Sequence, residues 1–353
     1  MNWGTRLFAS GCAAVAMAAL PSVAAAHTKT VYPGGPVKWQ NSLGKKYGAG
    51  INNFLVNRVT INVGDTVVWD RKAQSSGFHS IDFPAKGGSD LPLIVPGKTV
   101  TGLNDFAGNP FWFDGKVPAL GFNPALFAPT GGSTYDGSKR AASGLPLNPK
   151  GKPFRLKFTK AGVYKYFCDV HYGMVGYVVV KGKGQSIPSA AADKATLAKE
   201  EAGYIKSAKK LDKTKVTGNN VSVGASGAGG IEVFAMFPGT LTVNAGTTVT
   251  FSMSKQTRDT HTATFGPSSY LKPLANSFTG TTPSPIGAYP SDPPGSVTLS
   301  STSHGNGFAN VGVLDRDSGT PLPASGKIKF TQAGTYHFIC LIHPFMHGTV
   351  IVK

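Results

Sequence analysis

Short stretches in which apolar and polar residues alternate recur along the chain and predict β-strands. VTINV at 59–63 is followed by a Gly-Asp turn and by TVVW at 66–69. Further on, FRLKF at 154–158 and VYKYFC at 163–168 are separated by a short turn that contains glycine. The second pair predicts a β-hairpin that leads directly into Cys168.

The same pattern occurs a second time. LTVNA at 241–245 repeats the first strand, and KIKF at 327–330 with TYHFIC at 335–340 repeats the predicted hairpin. Matching positions in the two copies are Asn62 and Asn244, Gly64 and Gly246, His79 and His261, Gly162 and Gly334, Cys168 and Cys340, and Gly176 and Gly348. The repeat predicts an all-β protein of two tandem Greek-key sandwiches, each with seven or eight strands.

The segment between the two copies differs in composition. It is rich in lysine and alanine, and Leu197, Tyr204 and Leu211 recur every seven residues, which predicts a partly helical linker. We expect this linker to be solvated, with a little packing against one domain. The predicted boundaries are a signal peptide at 1–26, a first domain at 27–183, the linker at 184–217 and a second domain at 218–353.

The first residues predict export. MNWGTR is followed by the apolar run LFASGCAAVAMAAL and by PSVAAA, which together are typical of a signal peptide cut after Ala26. No later stretch is apolar enough to cross a bilayer, so we expect an exported chain in the periplasm or outside the cell.

The formal net charge is +18 at pH 7. This charge favours acidic partners, either proteins with acidic docking patches or an anionic surface. Because the basic residues are scattered along an exported chain, they do not predict binding to nucleic acid.

Cysteine usage is sparse and patterned. Removal of the signal peptide takes away Cys12 and leaves Cys168 and Cys340, too few for a disulfide framework in a chain of this length. A single bridge between them, or two inert buried thiols, are the alternatives. Each cysteine, however, is followed by a histidine three residues later and by a methionine after three more.

Thiolate, imidazole and thioether together favour a soft metal. Two histidines and a cysteine with a weak methionine ligand are typical of blue-copper electron-transfer centres. Structural zinc sites do not use a thioether, and iron–sulfur clusters need more cysteines. The short CxxHxxM loop can supply three ligands, and a fourth has to come from an earlier strand.

With these motifs, the chain resembles the cupredoxin (blue copper) family. An upstream histidine, a strand of the type VGDTVVW and the CxxHxxM loop are plastocyanin-like, and CLIHPFM is similar to the loop of amicyanin. The resemblance implies one type 1 copper in each domain, cycling between Cu(I) and Cu(II). The implied ligands are His79, Cys168, His171 and Met174 in the first domain and His261, Cys340, His343 and Met346 in the second.

The resemblance has two further implications. The residues after the upstream histidines, Ser80 and Thr262, are expected to tie the two ligand segments of each site together. The inserts at 80–153 and 262–325 are longer than a cupredoxin requires. We expect them either to cap the copper sites as a docking face or to cover the edges of the sandwiches.

The predicted function is the transfer of single electrons between redox proteins. Copper binding for storage, delivery or resistance is the alternative from another class. A copper oxidase or reductase is disfavoured, since such enzymes place a histidine beside the cysteine and this chain has Phe167, Asp169, Ile339 and Leu341 there. His27 could bind an additional copper at a new amino terminus only if His304 or His347 lay beside it.

Overall fold

The computed structural model describes residues 26–71, 78–146 and 152–353. The predicted signal peptide therefore lies outside the described residues, apart from Ala26. Among the described residues, no helix has the length and apolar character needed to span a membrane.

The N-terminal half is built from short strands and one helix, α1 (Val37–Tyr47), which follows the first strand. The strands are β1 (Thr28–Pro33), β2 (Ala49–Ile51), β3 (Phe54–Leu55), β4 (Arg58–Asn62), β5 (Thr66–Trp69), β6 (Asp82–Phe83), β7 (Ile94–Thr99), β8 (Pro118–Phe122), β9 (Thr134–Tyr135), β10 (Ala141–Ala142), β11 (Phe154–Phe158), β12 (Gly162–Phe167) and β13 (Val175–Lys181). A 3₁₀ turn covers Pro124–Leu126.

Most of these strands form two sheets, in the orders β3-β1-β5-β11-β9 and β10-β6-β12-β13-β4. Trp69 and Leu156 from the first sheet share one buried cluster with Tyr166 and Val178 from the second. The apolar face of each sheet therefore packs on the other, as in a β-sandwich.

The C-terminal half repeats this plan after helix α2 (Ala190–Leu211). Its elements are β14 (Asn220–Gly227), β15 (Ile231–Phe237), β16 (Thr240–Val243), β17 (Thr248–Met253), β18 (Thr264–Phe265), α3 (Ser268–Ser277), α4 (Pro285–Ala288), β19 (Val297–Leu299), β20 (Ala309–Asn310), β21 (Ser325–Phe330), β22 (Gly334–Ile339) and β23 (His347–Val352). Short 3₁₀ turns cover Ala228–Gly230 and Ser303–Gly305.

The sheets of this half have the orders β19-β21-β17-β14-β15-β2 and β16-β23-β22-β18-β20. The series β1-β5-β11 corresponds to β14-β17-β21, and β6-β12-β13-β4 corresponds to β18-β22-β23-β16. This topology confirms the predicted tandem all-β sandwiches.

One strand crosses between the halves. β2 pairs antiparallel with β15, with Ile51 opposite Ile231 and Ala49 opposite Val233. A strand from the N-terminal half thus extends a sheet of the C-terminal half. The domain boundaries at residues 183 and 218 stay predictions.

The predicted hairpins before the cysteines are wrong. β11 and β12 lie in different sheets, as do β21 and β22, so the glycine-containing turns cross from one sheet to the other. An alternating strand has one apolar face, and that face can be buried equally well beside a neighbour or across the core. The hairpins that do form are β12–β13 and β22–β23, which enclose the CxxHxxM loops.

The linker prediction is half right. Its helix forms, but the expectation that it packs a little against one domain is wrong, because α2 contacts both halves. Tyr204 in α2 is buried, and its hydroxyl donates to the carbonyl of Gly229 at 2.9 Å and accepts from the Asn53 amide at 3.0 Å. Because these partners belong to different halves, α2 holds the two halves together.

The long inserts also pack against each other. The fully buried ring of Phe113 lies 4.0 Å, centroid to centroid, from that of Tyr289. The Trp112 indole N–H donates to the carbonyl of Pro290 at 2.7 Å. The inserts therefore form a shared apolar contact between the halves.

Candidate metal centres

Each CxxHxxM loop is held at the end of a hairpin. Residues 168–174 connect β12 to β13, and residues 340–346 connect β22 to β23. In the first loop the Cys168 N–H donates to the carbonyl of Met174 at 3.0 Å, and the Met174 N–H donates to that of His171 at 3.0 Å. The second loop has the same two bonds at 3.0 and 2.8 Å. These bonds direct the cysteine and histidine side chains of each loop to one point.

The first site brings together a thiol and two imidazoles. Cys168 Sγ lies 3.5 Å from His171 Nδ1 and 3.9 Å from His79 Nδ1. The two Nδ1 atoms are 3.1 Å apart. All three residues are buried, and Met174 is buried in the same apolar cluster as Cys168.

The second site has the same geometry. Cys340 Sγ lies 3.8 Å from Nδ1 of both His261 and His343, and those two nitrogens are 3.3 Å apart. Met346 is fully buried in the same cluster as Cys340. In each half the possible ligand atoms of the cysteine and two histidines lie within 4.8 Å of one another.

Both cysteines are free thiols, so the alternative of one disulfide bridge is wrong. Neither thiol is isolated in an apolar pocket, because each faces two ring nitrogens. One thiolate and two imidazoles are a donor set that fits copper. The residues present therefore match the chemistry that the resemblance implied.

Two of the candidate ligands, His79 and Cys340, already have the protonation state that metal binding requires. Burial, and next the neighbouring His171, lower the pKa of His79 well below its usual 6.5, which leaves a neutral imidazole. Burial alone would raise the pKa of Cys340, but His261 and His343 together lower it to about 5. A neutral imidazole and a thiolate are the forms that ligate metals. Burial alone would lower the pKa of His171 and that of His261, but contacts with carboxyl and thiol groups raise both, so these two histidines have to lose a proton when a metal binds.

The expected hydroxyl ties are present in both halves. The Ser80 hydroxyl accepts from the Asp169 N–H at 2.8 Å and donates to the carboxylate of the same residue at 2.9 Å. The Thr262 hydroxyl accepts from the Leu341 N–H at 2.8 Å. Each hydroxyl joins the segment of the upstream histidine to the cysteine loop.

Sequence reasoning missed Glu232, which lies behind the second site. Its Oε1 lies 2.9 Å from His261 Nε2, and its Oε2 accepts from the Thr257 hydroxyl at 2.6 Å. A carboxylate on the distal nitrogen orients a histidine for ligation through the other one. The available signal was a lone acidic residue in the otherwise apolar strand IEVFAMF.

Sequence reasoning also missed Asp259, which lies between the two sites. Its Oδ2 is 3.6 Å from His171 Nε2 and 3.7 Å from His343 Nε2. Burial alone would raise the pKa of this carboxyl, but His343 and His171 lower it well below its ordinary value. No sequence signal marked this residue, because its contacts depend on how the two halves pack.

The remaining histidines form no such group. Among the described residues, the two His–Cys–His sets are the clusters of three or more histidine, cysteine or acidic ligand groups. The backbone N–H of His27 donates to Asp65 at 2.7 Å, whereas His304 lies between Asp105 and Asp292. The structure gives no support to an additional copper site at His27.

Comparison with known proteins agrees with this geometry. Residues 122–181 match the plastocyanin/azurin family of copper-binding proteins. This part of the chain contains Cys168, His171 and Met174, so the cupredoxin resemblance is confirmed. The matched residues lie in the first half, and the second half repeats their CxxHxxM spacing.

Several solved cupredoxin structures are similar to part of the chain. A mutant fern plastocyanin is 23% identical, with 38% of this chain and 99% of that chain covered and a TM-score of 0.21. A mutant amicyanin in its Cu(I) form is 16% identical, with 40% and 89% covered and a TM-score of 0.21. A purple cupredoxin from Nitrosopumilus maritimus is 17% identical, with 38% and 98% covered and a TM-score of 0.20. A search of curated proteins gave no significant match.

Proposed function

We propose that the protein binds one type 1 copper in each half and carries single electrons between redox partners. The observation that carries this proposal is the duplicated triangle of one thiol and two imidazoles, buried except for part of His343, with Sγ–Nδ1 distances of 3.5 to 3.9 Å. The proposed ligands are His79, Cys168, His171 and Met174 for the first site and His261, Cys340, His343 and Met346 for the second.

Copper, when bound, supplies the one-electron couple, and the chain's own residues keep the ligand side chains in fixed positions. The hydroxyls of Ser80 and Thr262 and the carboxylate of Glu232 fix the ligand segments through buried hydrogen bonds. A site whose ligands barely move needs little reorganisation when it gains or loses an electron. Rigid, buried ligands therefore support electron transfer.

The proposal includes export and partners with acidic docking patches. The leader-like pattern at residues 1–26 supports export, and the net charge of +18 supports attraction to acidic surfaces. An on-rate with a redox partner that falls as salt is added would agree with this.

Single-site variants test the proposal. We expect Cys168→Ser and Cys340→Ser each to lose one copper and one thiolate-to-copper absorption band while the other site stays intact. The remaining site should be reduced and reoxidised repeatedly without loss of metal. Rapid loss of copper to an apo-acceptor during such cycles would contradict electron carriage and favour copper delivery.

A further inference from the structure

The two candidate metal centres face each other across one carboxylate. Asp259 belongs to the C-terminal half, two residues before the ligand candidate His261, yet it also reaches a histidine of the N-terminal half. Its Oδ2 lies 3.6 Å from His171 Nε2 and 3.7 Å from His343 Nε2. Both histidines contact the same oxygen, one from each site.

The orientation of the two histidines gives this contact its significance. His171 directs Nδ1 to Cys168 at 3.5 Å, and His343 directs Nδ1 to Cys340 at 3.8 Å. Their opposite nitrogens, Nε2, are thus free of the ligand triangles and point to Asp259. A continuous series of side chains runs from one cysteine to the other through two imidazoles and one carboxylate.

Hydrogen bonds hold this carboxylate in place. Asp259 Oδ1 accepts from the Thr260 N–H at 2.9 Å, and the Asp259 N–H donates to the Thr257 hydroxyl at 3.3 Å. The residue is only 9% exposed. Because Oδ1 is bound to the backbone, Oδ2 is the oxygen presented to both histidines.

Burial limits the access of a soluble redox partner to this face of the first site. His171 is 2% exposed, so a soluble partner has little of its ring to contact. Its distal edge meets Asp259 and, beyond it, the second site. The packing of the two halves therefore places the centres in contact with each other on this face.

We propose that Asp259 connects the two metal centres, so that an electron received by one centre is shared with the other through His171, Asp259 and His343. This inference rests on the proposed function, since it needs a one-electron metal at both sites. In the step, one electron leaves the Cu(I) centre, which becomes Cu(II), and enters the Cu(II) centre, which becomes Cu(I). No bond breaks, and both Nε2–H protons stay on their rings.

The carboxylate also affects both centres electrostatically. Its negative charge lies at nearly the same distance from each ligand histidine and favours the more positive, oxidised state of both. Removing the charge is therefore expected to raise both reduction potentials together.

The test compares the copper-loaded protein with its Asp259→Asn variant. Asparagine keeps the shape and the acceptor for the Thr260 N–H, but it removes the charge on the histidines. Asp315→Asn is the matched control, because Asp315 is also a buried carboxylate of the C-terminal half and accepts a hydrogen bond from the Thr320 hydroxyl at 3.1 Å instead. Copper content and absorption are measured first, so that both sites are known to be filled.

A radiolytic pulse then delivers less than one electron per chain, and the absorption of each site is followed in time. Cys168→Ser and Cys340→Ser supply the spectrum of each single site for the analysis. We expect a redistribution phase whose rate does not depend on protein concentration. Asp259→Asn should slow this phase by about tenfold or more and raise both potentials, whereas Asp315→Asn should change neither.

The outcomes separate the two proposals. If both sites are filled and blue but no concentration-independent phase occurs, the connection is wrong and the proposed function stands. An unchanged rate in Asp259→Asn, or a shift in only one potential, would also overturn the connection. If the wild type takes up no copper, the proposed function fails, and the connection fails with it.

Discussion

The hydroxyl of Thr262 is the clearest single bond between the two ligand segments of the second site. It accepts from the Leu341 N–H at 2.8 Å, and both residues are fully buried. Thr262→Val replaces the hydroxyl by a methyl group of similar size, so the change removes the hydrogen-bonding group. The Leu341 N–H then loses this acceptor in a site closed to water.

The expected cost follows from that orphaned donor. A buried N–H without a partner costs about 1–3 kcal/mol. The Thr264 hydroxyl, which lies 3.0 Å from the Thr262 hydroxyl, keeps its contact with Asn310 at 2.8 Å and adds no such cost. We therefore expect Thr262→Val to lower the free energy of unfolding of the metal-free protein by about 2 kcal/mol, a factor of about 30 in the equilibrium. The thiolate absorption of the second copper site should shift while that of the first stays unchanged.

Urea unfolding of the metal-free protein and the visible spectrum of the loaded protein measure both effects. Thr264→Val is the control, because this fully buried hydroxyl of the same segment bonds only to side chains in the structure. It should leave the absorption of the second site unchanged. Stability of Thr262→Val within about 0.5 kcal/mol of wild type, with an unaltered spectrum, would refute the role given to this bond.

Three further changes have defined outcomes. Gly348→Ala should lower the free energy of unfolding by about 1–3 kcal/mol, because its new Cβ would lie 2.5 Å from the buried ring of Phe338. Urea unfolding measures this, and wild-type stability would contradict that packing. Gly203→Ala should instead raise the free energy of unfolding by about 0.5–1 kcal/mol, because Gly203 lies exposed inside α2 with open space around it. A loss of stability in the same assay would show that α2 is not packed as described. Burial and the neighbouring Asp169 raise the pKa of Asp82 to about 8 against the opposing effect of its ion pair with Arg140, so the folded protein keeps this proton to higher pH than the unfolded chain does. The free energy of unfolding should then fall as pH rises from about 4 to about 8, by up to about 1.4 kcal/mol per pH unit. Asp82→Asn should remove this pH dependence in unfolding measured at pH 5 and pH 8. An equal pH dependence in the variant would mean that another group causes it.

The cysteine, histidine and methionine of each loop were predictable because their spacing is local and occurs twice. The spacing of Cys168, His171 and Met174 lies within one loop, and the same spacing recurs at the C-terminus. The upstream histidines could be found because the repeat aligned them. Alternation along VYKYFC places Tyr166 and Cys168 on one face of the strand, and both side chains are buried in one apolar cluster.

Strand pairing could not be predicted from the sequence in the same way. The segment FRLKF buries Leu156 and Phe158, and VYKYF buries Tyr166, and both patterns fit either a hairpin or two facing sheets. The contacts of the surrounding chain decide between these arrangements. The pairing of β2 with β15 depends on the packing of the two halves and has no local signal at all.

The contacts between the halves were the least predictable part of the site. Asp259 is an ordinary acidic residue in the sequence, and its position between His171 and His343 results from the docking of the two sandwiches. Tyr204 was noted only as one member of a heptad pattern, yet its hydroxyl bonds to residues of both halves. Long-range packing determines these roles.

The most direct test of the central claim is the copper content of the purified protein, with its visible and paramagnetic resonance spectra after oxidation. We predict two coppers per chain, both with the intense thiolate-to-copper absorption and with no additional copper signal. Absence of that absorption after copper loading and oxidation would contradict the ligand assignment. A third copper without the absorption would contradict the assignment of the protein as an electron carrier alone.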